Sequence, residues 1–374
     1  MTMMIAALFA LWVMLLSAES LAVRRDRRKL KHVVHVNGTR GKSSVSRLID
    51  AGLRAGGLRV FCKTTGTDPM TIDTDGKEEL IIRRGRANIR EQTAILRRAA
   101  AQNAEVLVVE CMAVLPELQY AAQHRILRAD IGVITNVRRD HTDVMGDTLP
   151  QIAAALSHTV PRGGVLLTAE DAQAAILREK ALALGSRFVQ ARPNGTEPAF
   201  DFADNIALAL AVCEELGVPR ETALEGMRQY RRDPYALSLH RCGEAVFVNA
   251  LSVNDAQSTA MVWEQLRDRE PLAGRELTVL VNNRPDRGSR TADMAEVCAL
   301  LRPKRVLLLG AGKWFMRARL KRLLPGAPVV SLQNAAALNF DDFTTRDAVF
   351  LIGNIAGEGR ALMSRLREEG EILV

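Results

Sequence analysis

The most informative stretch of this chain is residues 33–44, which read Val33-Val34-His35-Val36-Asn37-Gly38-Thr39-Arg40-Gly41-Lys42-Ser43-Ser44. An apolar run enters a glycine-rich turn, and a helical pattern begins at Val45. A strand, a turn and a helix N-terminus in this order form an anion cradle, because the backbone N–H groups and the helix dipole point at a phosphate. Lys42 adds a positive charge, and the hydroxyl of Ser43 can hold Mg²⁺. The sequence therefore predicts a phosphate loop.

This loop differs from the general pattern G-x-x-x-x-G-K-[ST], which requires a glycine at position 36, where the chain has Val36. The form G-T-x-G-K-[ST] resembles the Mur-ligase superfamily, which includes the peptidoglycan amino-acid ligases and folylpolyglutamate synthetase. The resemblance implies ATP and Mg²⁺ as cofactors and Lys42 as a catalytic residue. The ATP-binding residues that it implies in the loop are Gly38, Thr39, Arg40, Gly41, Lys42, Ser43 and Ser44.

Length and composition indicate a folded chain of two domains. The chain has 374 residues, and a domain takes roughly 150. Hydrophobic residues make up 48% and charged residues 25%, as in globular proteins. The net charge is +8, but most of it lies between Arg24 and Lys31, where six basic residues face one acid. With the charge so concentrated and aromatic residues at 4%, we expect no nucleic-acid partner.

The five cysteines are scattered along the chain: Cys62, Cys111, Cys213, Cys242 and Cys298. No two of them form a C-x-x-C pair, so their spacing excludes the common zinc and thioredoxin-like redox motifs. An odd, scattered set is typical of a reducing compartment, where cysteine acts as a small apolar residue.

The N-terminal segment predicts a membrane anchor. Residues 1–18 carry no charged side chain, and the apolar stretch, extended to residue 23, reaches the ~20 residues that cross a bilayer. A cleaved signal peptide and a buried or interfacial helix are the alternatives; the first is disfavoured because the basic residues follow the apolar run. Since basic flanks stay cytoplasmic, we predict a single-pass anchor in the inner (cytoplasmic) membrane, residues 1–23, a basic flank, 24–31, and catalytic domains in the cytoplasm.

Beyond the flank, short β-branched runs alternate with helical stretches, which predicts parallel sheets with crossover helices. The expected strands form two series: 32–36, 58–64, 106–110, 131–136 and 165–167, then 245–249, 277–282, 305–309 and 348–352. A helical stretch, 202–230, separates the series, and Pro234 disfavours its continuation. The predicted fold class is α/β: a P-loop-type central ATPase domain with a mainly parallel sheet, 32–235, and a smaller Rossmann-like C-terminal domain, 236–374.

Two further strand ends carry candidate metal ligands. Glu110 closes the apolar strand 106–110, and Asn136 and His141 lie in a T-N-x-x-x-D-H segment after the next strand. Ligands gather at the carboxyl ends of strands in such sheets, so Ser43, Glu110 and His141 could converge on one crevice. Mg²⁺ prefers oxygen ligands, and His141 alone would be read as a structural histidine. The Mur pattern implies instead that Glu110 and His141 hold the metal and act in catalysis, and that Asn136 contacts ATP.

One feature of many Mur ligases is missing. Their carbamylated lysine lies some fifteen residues beyond the D-H pair, in a T-L-x-x-I-A segment. That segment is present here at 148–153, but the corresponding position is Leu156, and no lysine lies between His141 and Arg162. A second metal bridged by a carbamate is therefore not expected.

The second series of strands carries weaker signals. Asn254 lies where Mur ligases approach the nucleotide, although only part of that motif matches, and an ordinary strand-to-helix turn is the alternative. Arg284, Arg287 and Arg290 follow a strand and could clamp a carboxylate or phosphate, since the guanidinium group matches both. We predict Asn254 and Arg284 as ATP contacts and the three arginines as substrate contacts; a solvated loop is the alternative.

Four motifs narrow the resemblance to the poly-γ-glutamate synthase subunits known as PgsB or CapB: H-V-N-G-T-R-G-K-S-S, E-C-M-A-V-x-P-E-L-Q, N-A-x-S-x-N-D and N-N-R-x-D-R. That family implies an ATP-dependent ligase that activates a glutamate γ-carboxylate as an acyl phosphate and joins it to the amine of another glutamate. Its partners would be glutamate, the growing poly-γ-glutamate chain, small membrane subunits and the membrane. A P-loop kinase or ATPase, and a non-catalytic membrane scaffold, are the alternatives.

Overall fold

The fold is described from a computed structural model of the chain, which covers residues 2–83, 85, 87–195, 197–198, 201–253, 255–284 and 288–373, with the backbone alone at 288–290. The chain divides into two compact units, Met1–Arg232 and Asp233–Val374. Each unit is built around its own sheet. The predicted α/β class with mainly parallel sheets is confirmed.

The sheet of the first unit has the strand order β4-β3-β2-β5-β1-β6-β7-β8 among the described residues. Its strands are β1 His32–Asn37, β2 Val60–Thr64, β3 Met70–Ile72, β4 Glu78–Leu80, β5 Val106–Glu110, β6 Ile131–Ile134, β7 Val165–Thr168 and β8 Arg187–Gln190. All neighbours pair in parallel except β3 and β4, which extend the β2 edge as antiparallel strands. The central strands are apolar on both sides because helices cover both faces of the sheet.

The helices of this unit lie on the two faces of the sheet. They are α2 Lys42–Ala55, α3 Glu91–Ala101, α4 Pro116–Ala121, α5 Thr142–Met145, α6 Leu149–Leu156, α7 Ala174–Ala183, α8 Ala203–Glu215 and α9 Arg220–Arg228. On one face, α2, α8 and α9 pack with Val34 and Val36 in a single apolar core. On the other face, α3 packs with Val33 and Leu107. Alternate residues of β1 therefore serve opposite cores, as the two-residue period of a strand requires.

The helix that precedes the sheet, α1, runs without interruption over Thr2–Arg28. It is long and apolar enough to cross a membrane, and its apolar part is wholly exposed. Its last turns contact the rest of the unit: Val23 is buried, and the Arg27 guanidinium lies 2.5 Å from the Asp130 carboxylate. Lys31 forms a similar pair with Glu105, at 2.5 Å. The basic flank is therefore partly used to attach α1 to the unit.

The second unit has the strand order β13-β12-β11-β14-β10-β9-β15 among its described residues. Its strands are β9 Ser238–Cys242, β10 Ala245–Asn249, β11 Glu276–Asn283, β12 Arg305–Gly310, β13 Val329–Ser331, β14 Asp347–Gly353 and β15 Glu371–Ile372. Its helices are α10 Ala256–Leu266, α11 Gly288–Leu301, α12 Lys313–Leu323 and α13 Glu358–Glu369. One core packs α10, α11 and α12, and the other packs α13, so the parallel strands are covered on both faces.

The predicted strands correspond to observed ones, with ends that differ by up to two residues. Six observed strands, β3, β4, β8, β9, β13 and β15, were not predicted; all but β9 have at most four residues, and such short strands carry little periodicity. The predicted helical stretch 202–230 is wrong as a single element: α8 ends at Glu215 and α9 begins at Arg220. The break contains Gly217, with φ 80°, and Pro219, the N-cap residue of α9.

Candidate active site

The phosphate loop connects β1 to α2 and depends on two glycines. Gly38 has φ 125°, and a Cβ atom there would lie 2.1 Å from the Thr135 hydroxyl oxygen. Gly41 has φ 78°, and its Cβ would lie 2.7 Å from the Asn205 side-chain oxygen. Both positions combine positive φ with a close neighbour, so no other residue fits without displacing the loop. No described side chain caps α2, which leaves its first turn in the arrangement that binds anions.

The segment after β6 fastens this loop from the side. The Asn136 side chain accepts from the Arg40 backbone N–H at 3.0 Å and donates to the Arg40 carbonyl at 3.1 Å. Thr135 Oγ1 donates to the same carbonyl at 2.6 Å. The Arg138 N–H donates to Thr39 Oγ1 at 3.0 Å, and the Thr39 N–H donates to the Asn136 carbonyl. Asn136 therefore shapes the phosphate loop through Arg40.

Lys42, the first residue of α2, folds over the loop. Its Nζ donates to the Gly38 carbonyl at 2.7 Å and to the Thr39 carbonyl at 3.3 Å. Burial lowers the pKa of the Lys42 ammonium, and the Arg40 charge adds to this effect, while the Glu110 carboxylate opposes it. The ammonium thus lies among the backbone groups that cradle a phosphate.

Ser43 and Glu110 come together at the carboxyl edge of the sheet. Strands β1 and β5 pair in parallel with Val36 opposite Glu110, so the end of β5 lies beside the start of the loop. Ser43 Oγ donates to Glu110 Oε2 at 2.8 Å, and the Thr65 N–H donates to the same oxygen at 2.6 Å. The Glu110 side chain is almost fully buried. A hydroxyl beside a carboxylate is a suitable donor set for Mg²⁺, which prefers oxygen ligands.

His141 lies beside Asp140. Its Nε2 is 3.7 Å from Asp140 Oδ2, and its backbone N–H donates to Asp140 Oδ1 at 3.0 Å. The same carboxylate pairs with the Arg40 guanidinium at 3.1 Å, so His141 is joined to the phosphate loop through Asp140. The residue has φ 48°, an uncommon backbone conformation for a histidine. Within the described ranges, no group of three or more His, Cys, Asp or Glu residues forms a metal site.

Several residues of the site were not identified from the sequence. Asp140 pairs with the loop, Thr65 binds Glu110, and Asn205 limits Gly41. Lys63, in β2, is fully buried and pairs with Glu91 at 3.0 Å, and burial lowers the pKa of its ammonium. A lysine in an apolar strand is a signal that sequence reading can use, because a buried charge needs a partner. The others become visible only when the strands are placed side by side.

Of the site residues predicted in the second unit, only some lie in the part of the chain that the structure describes. Arg284 follows β11 directly and is half-buried. Asn254 and Arg287 lie outside the described residues, and so does the side chain of Arg290. The structure therefore places Arg284 alone of this group.

Comparisons with known proteins give two matching family models. The model "Mur ligase middle domain" matches residues 36–208, and "Poly-gamma-glutamate synthase CapB C-terminal domain" matches residues 235–369. The capsule biosynthesis protein CapB of Bacillus anthracis is 33% identical over 357 residues, which span 90% of this chain and 76% of that protein. The PGA synthase CapB of Bacillus subtilis (strain 168) is 31% identical over 359 residues, 90% of each chain.

Among solved structures, a Mycobacterium tuberculosis folylpolyglutamate synthase complexed with ADP and AMPPCP has a similar fold. The TM-score is 0.70 over 96% of this chain and 99% of the other, at 15% sequence identity. At that identity the likeness concerns the fold, and it extends over both units of the chain.

Proposed function

This chain belongs to the CapB family of Mur-type ligases, and we propose that it catalyses the family reaction with the residues at the carboxyl edge of its first sheet. The function is ATP-dependent formation of amide bonds between glutamates, which makes poly-γ-glutamate. The hydrogen bond between Ser43 and Glu110 carries the proposal, because it joins the phosphate loop to a buried carboxylate. A phosphate-binding loop beside an oxygen donor pair is the arrangement that phosphoryl transfer requires.

The reaction has two steps. An oxygen of the glutamate γ-carboxylate, or of the growing chain's terminal carboxylate, attacks the γ-phosphorus of ATP, forming an acyl phosphate and releasing ADP. The amine of the incoming glutamate then attacks the acyl carbon, loses a proton and expels phosphate. A site that excludes water protects the acyl phosphate from hydrolysis between these steps.

Lys42 and the loop backbone stabilise the charge that develops on the transferred phosphoryl group. The Lys42 ammonium and the N-terminus of α2 are held in place before the reaction, so little reorganisation is needed in the transition state. Arg40 is held by hydrogen bonds to Asn136 and by an ion pair with Asp140. These contacts keep the phosphate loop in one conformation. The remaining ATP-binding assignments are the loop residues, Asn136, and, from the family resemblance, Asn254 and Arg284.

The divalent ion is assigned as Mg²⁺. Ser43 and Glu110 would hold it, with His141 as the further ligand that the family pattern implies. Once bound, the ion neutralises phosphate charge. Glutamate and the growing chain are assigned to Arg284, Arg287 and Arg290, whose guanidinium groups match carboxylates. The central ATPase domain is assigned to residues 32–235 and the C-terminal ligase domain to 236–374.

The chain is assigned to the inner membrane through α1, with both catalytic domains in the cytoplasm, where ATP is available. The exposed cations in the last turns of α1 and directly after it, Arg24, Arg25, Arg28 and Lys29, each add on the order of 1 kcal/mol of attraction to an anionic leaflet. A polyanionic product made inside the cell must be exported, and the small membrane subunits that the family resemblance implies are assigned as the partners beside which the chain docks.

This topology predicts the outcome of two experiments. Protease added to right-side-out cells should leave the globular part intact. Removal of residues 2–21 should yield a soluble protein that makes little polymer in cells. It should stay folded and bind Mg-ATP, since Val23 and Arg27 keep their contacts. Removal of residues 2–30 is the control, and it should lower the melting temperature because those contacts are lost. Digestion of the globular part from outside would contradict the topology.

The function itself is tested by incubating the detergent-solubilised full chain with Mg-ATP and single amino acids. Glutamate-dependent release of ADP and phosphate, together with an amide product, is expected. A stable phosphorylated product without an amide would indicate a kinase, and no nucleotide turnover at all would favour a scaffold. AMP and pyrophosphate as products would contradict the acyl-phosphate route.

A further inference from the structure

Two buried glutamines contact the strand that leads into the phosphate loop. Gln119 lies in α4, and Gln123 lies in the π-helical turn that follows it, Ala122–Leu127. The side chain of Asn37 donates to Gln119 Oε1 at 2.8 Å, and His35 Nδ1 is hydrogen-bonded to Gln123 Oε1 at 2.8 Å. All four side chains are at most 2% exposed. The two pairs, His35 with Gln123 and Asn37 with Gln119, thus form a polar ladder inside an otherwise apolar layer.

The two hydrogen-bonded pairs of this polar ladder are spaced by similar distances along the strand and along the helix. Four residues along a helix and two residues along a strand both cover roughly 6–7 Å. His35 and Asn37 are two residues apart in β1, and Gln119 and Gln123 are four apart across α4 and the π-helical turn that continues it. A shift of the helix by one residue would break both hydrogen bonds and leave buried amides unpaired, which is costly. The ladder therefore holds the helix in one position along β1.

Asn37 and Gln119 each form a further hydrogen bond besides the one that joins them. Asn37 directly precedes Gly38, and its amide also donates to Thr159 Oγ1 at 3.1 Å. Gln119 Nε2 donates to the carbonyl of Val114 at 2.8 Å. Val114 belongs to the segment that follows Glu110. Gln119 thus joins the residue before the phosphate loop to the segment after the carboxylate that binds Ser43.

The rung at Gln123 has no such connection. Gln123 Nε2 donates to the Ala129 carbonyl at 3.1 Å, which closes the helix C-terminus. Burial lowers the pKa of His35 to about 4, so the ring is neutral near pH 7 and the rung carries no charge. Gln123 thus matches Gln119 in residue type and burial. Its hydrogen bonds go to His35 and Ala129, and neither of these adjoins the phosphate loop or Glu110.

We propose that Gln119 is a positioning residue for the ligase reaction, which sets the distance between the phosphate loop and the Glu110 carboxylate. This inference rests on the proposed function of Lys42, Ser43 and Glu110. Groups that share a metal and a phosphate must be held within about 0.5 Å of their productive geometry, and loops need supporting hydrogen bonds for that. Gln119 supplies one such support to each side of the Ser43–Glu110 pair.

The test compares Gln119→Leu with the matched variant Gln123→Leu in the full-length protein. Both substitutions remove a buried amide from the same helix, so both should lower the melting temperature by similar amounts. Only Gln119→Leu should lower kcat, by about 10- to 100-fold, and raise the Mg²⁺ concentration for half-maximal rate, with the KM for glutamate unchanged. Gln119→Glu keeps an acceptor for Asn37 but loses the donor to Val114, and it should fall between Gln119→Leu and the unmodified chain.

Equal losses of kcat in Gln119→Leu and Gln123→Leu would overturn the proposal, and so would an unchanged kcat and Mg²⁺ requirement in Gln119→Leu. If Gln119→Leu does not fold, the same comparison of kcat and Mg²⁺ requirement is made between Gln119→Glu and Gln123→Leu. Calorimetric titration with Mg-AMPPCP separates this inference from the proposed function. If the unmodified protein shows no ligase activity, this titration still tests the positioning role. Weaker Mg²⁺-dependent binding of AMPPCP by Gln119→Leu alone would support that role, and equal binding by Gln119→Leu and Gln123→Leu would refute it.

Discussion

Replacement of Lys42 by Ala should lower ligase turnover by about two to three orders of magnitude while the protein stays folded. The ammonium lies over the loop carbonyls of Gly38 and Thr39, at the position where phosphate charge develops. Loss of one preorganised electrostatic contact in a transition state typically costs about 10²- to 10³-fold in kcat. The measurement is glutamate-dependent release of ADP, with the melting temperature followed in parallel.

The matched control for Lys42→Ala is Lys77→Ala in the same unit. The Lys77 side chain is 71% exposed and pairs with Glu79 at the surface, so its loss should leave both kcat and the melting temperature nearly unchanged. Normal amide formation by Lys42→Ala would contradict the ligase assignment itself. A large fall in melting temperature for Lys42→Ala would show instead that its contacts with the loop carbonyls mainly hold the loop together.

Glu110→Gln should raise the Mg²⁺ concentration needed for half-maximal activity by roughly 10- to 100-fold. The amide retains the size of the side chain and one oxygen for Ser43 and Thr65, but it loses the negative charge that attracts the ion. The KM for glutamate should change much less. A Mg²⁺ titration at saturating ATP measures this effect, and Glu117→Gln, at an exposed position of α4, is the control.

His141→Ala is expected to act in the same direction as Glu110→Gln, because the family pattern assigns both residues to the metal. The control is His32→Ala, an exposed histidine at the amino end of β1, away from the loop. If Glu110→Gln and His141→Ala both titrate with Mg²⁺ as the unmodified chain does, the assigned metal site is wrong. If only Glu110→Gln responds, His141 acts through Asp140 and Arg40 on the shape of the loop.

The fold was predictable where the sequence pattern is local. The strand 106–110 is a continuous apolar run, and the loop 37–44 carries glycines at the two positions that need positive φ. Both signals arise from neighbouring residues, so they can be read without the tertiary structure. The short edge strands β3 and β4, and the break between α8 and α9, depend on weaker signals and were missed or merged.

For the site, the sequence alone determined which residue types were present: a lysine and a serine after a glycine turn, a carboxylate at a strand end, and a D-H pair. Their distances depend on which strands are neighbours, and chain order does not give that, since β5 pairs with β1 across some seventy residues. Only the tertiary structure placed Glu110 on Ser43, Asp140 on Arg40 and Gln119 on Asn37. The physical reason is that a hydrogen bond is set by sheet register and helix position, which result from burial of the whole core.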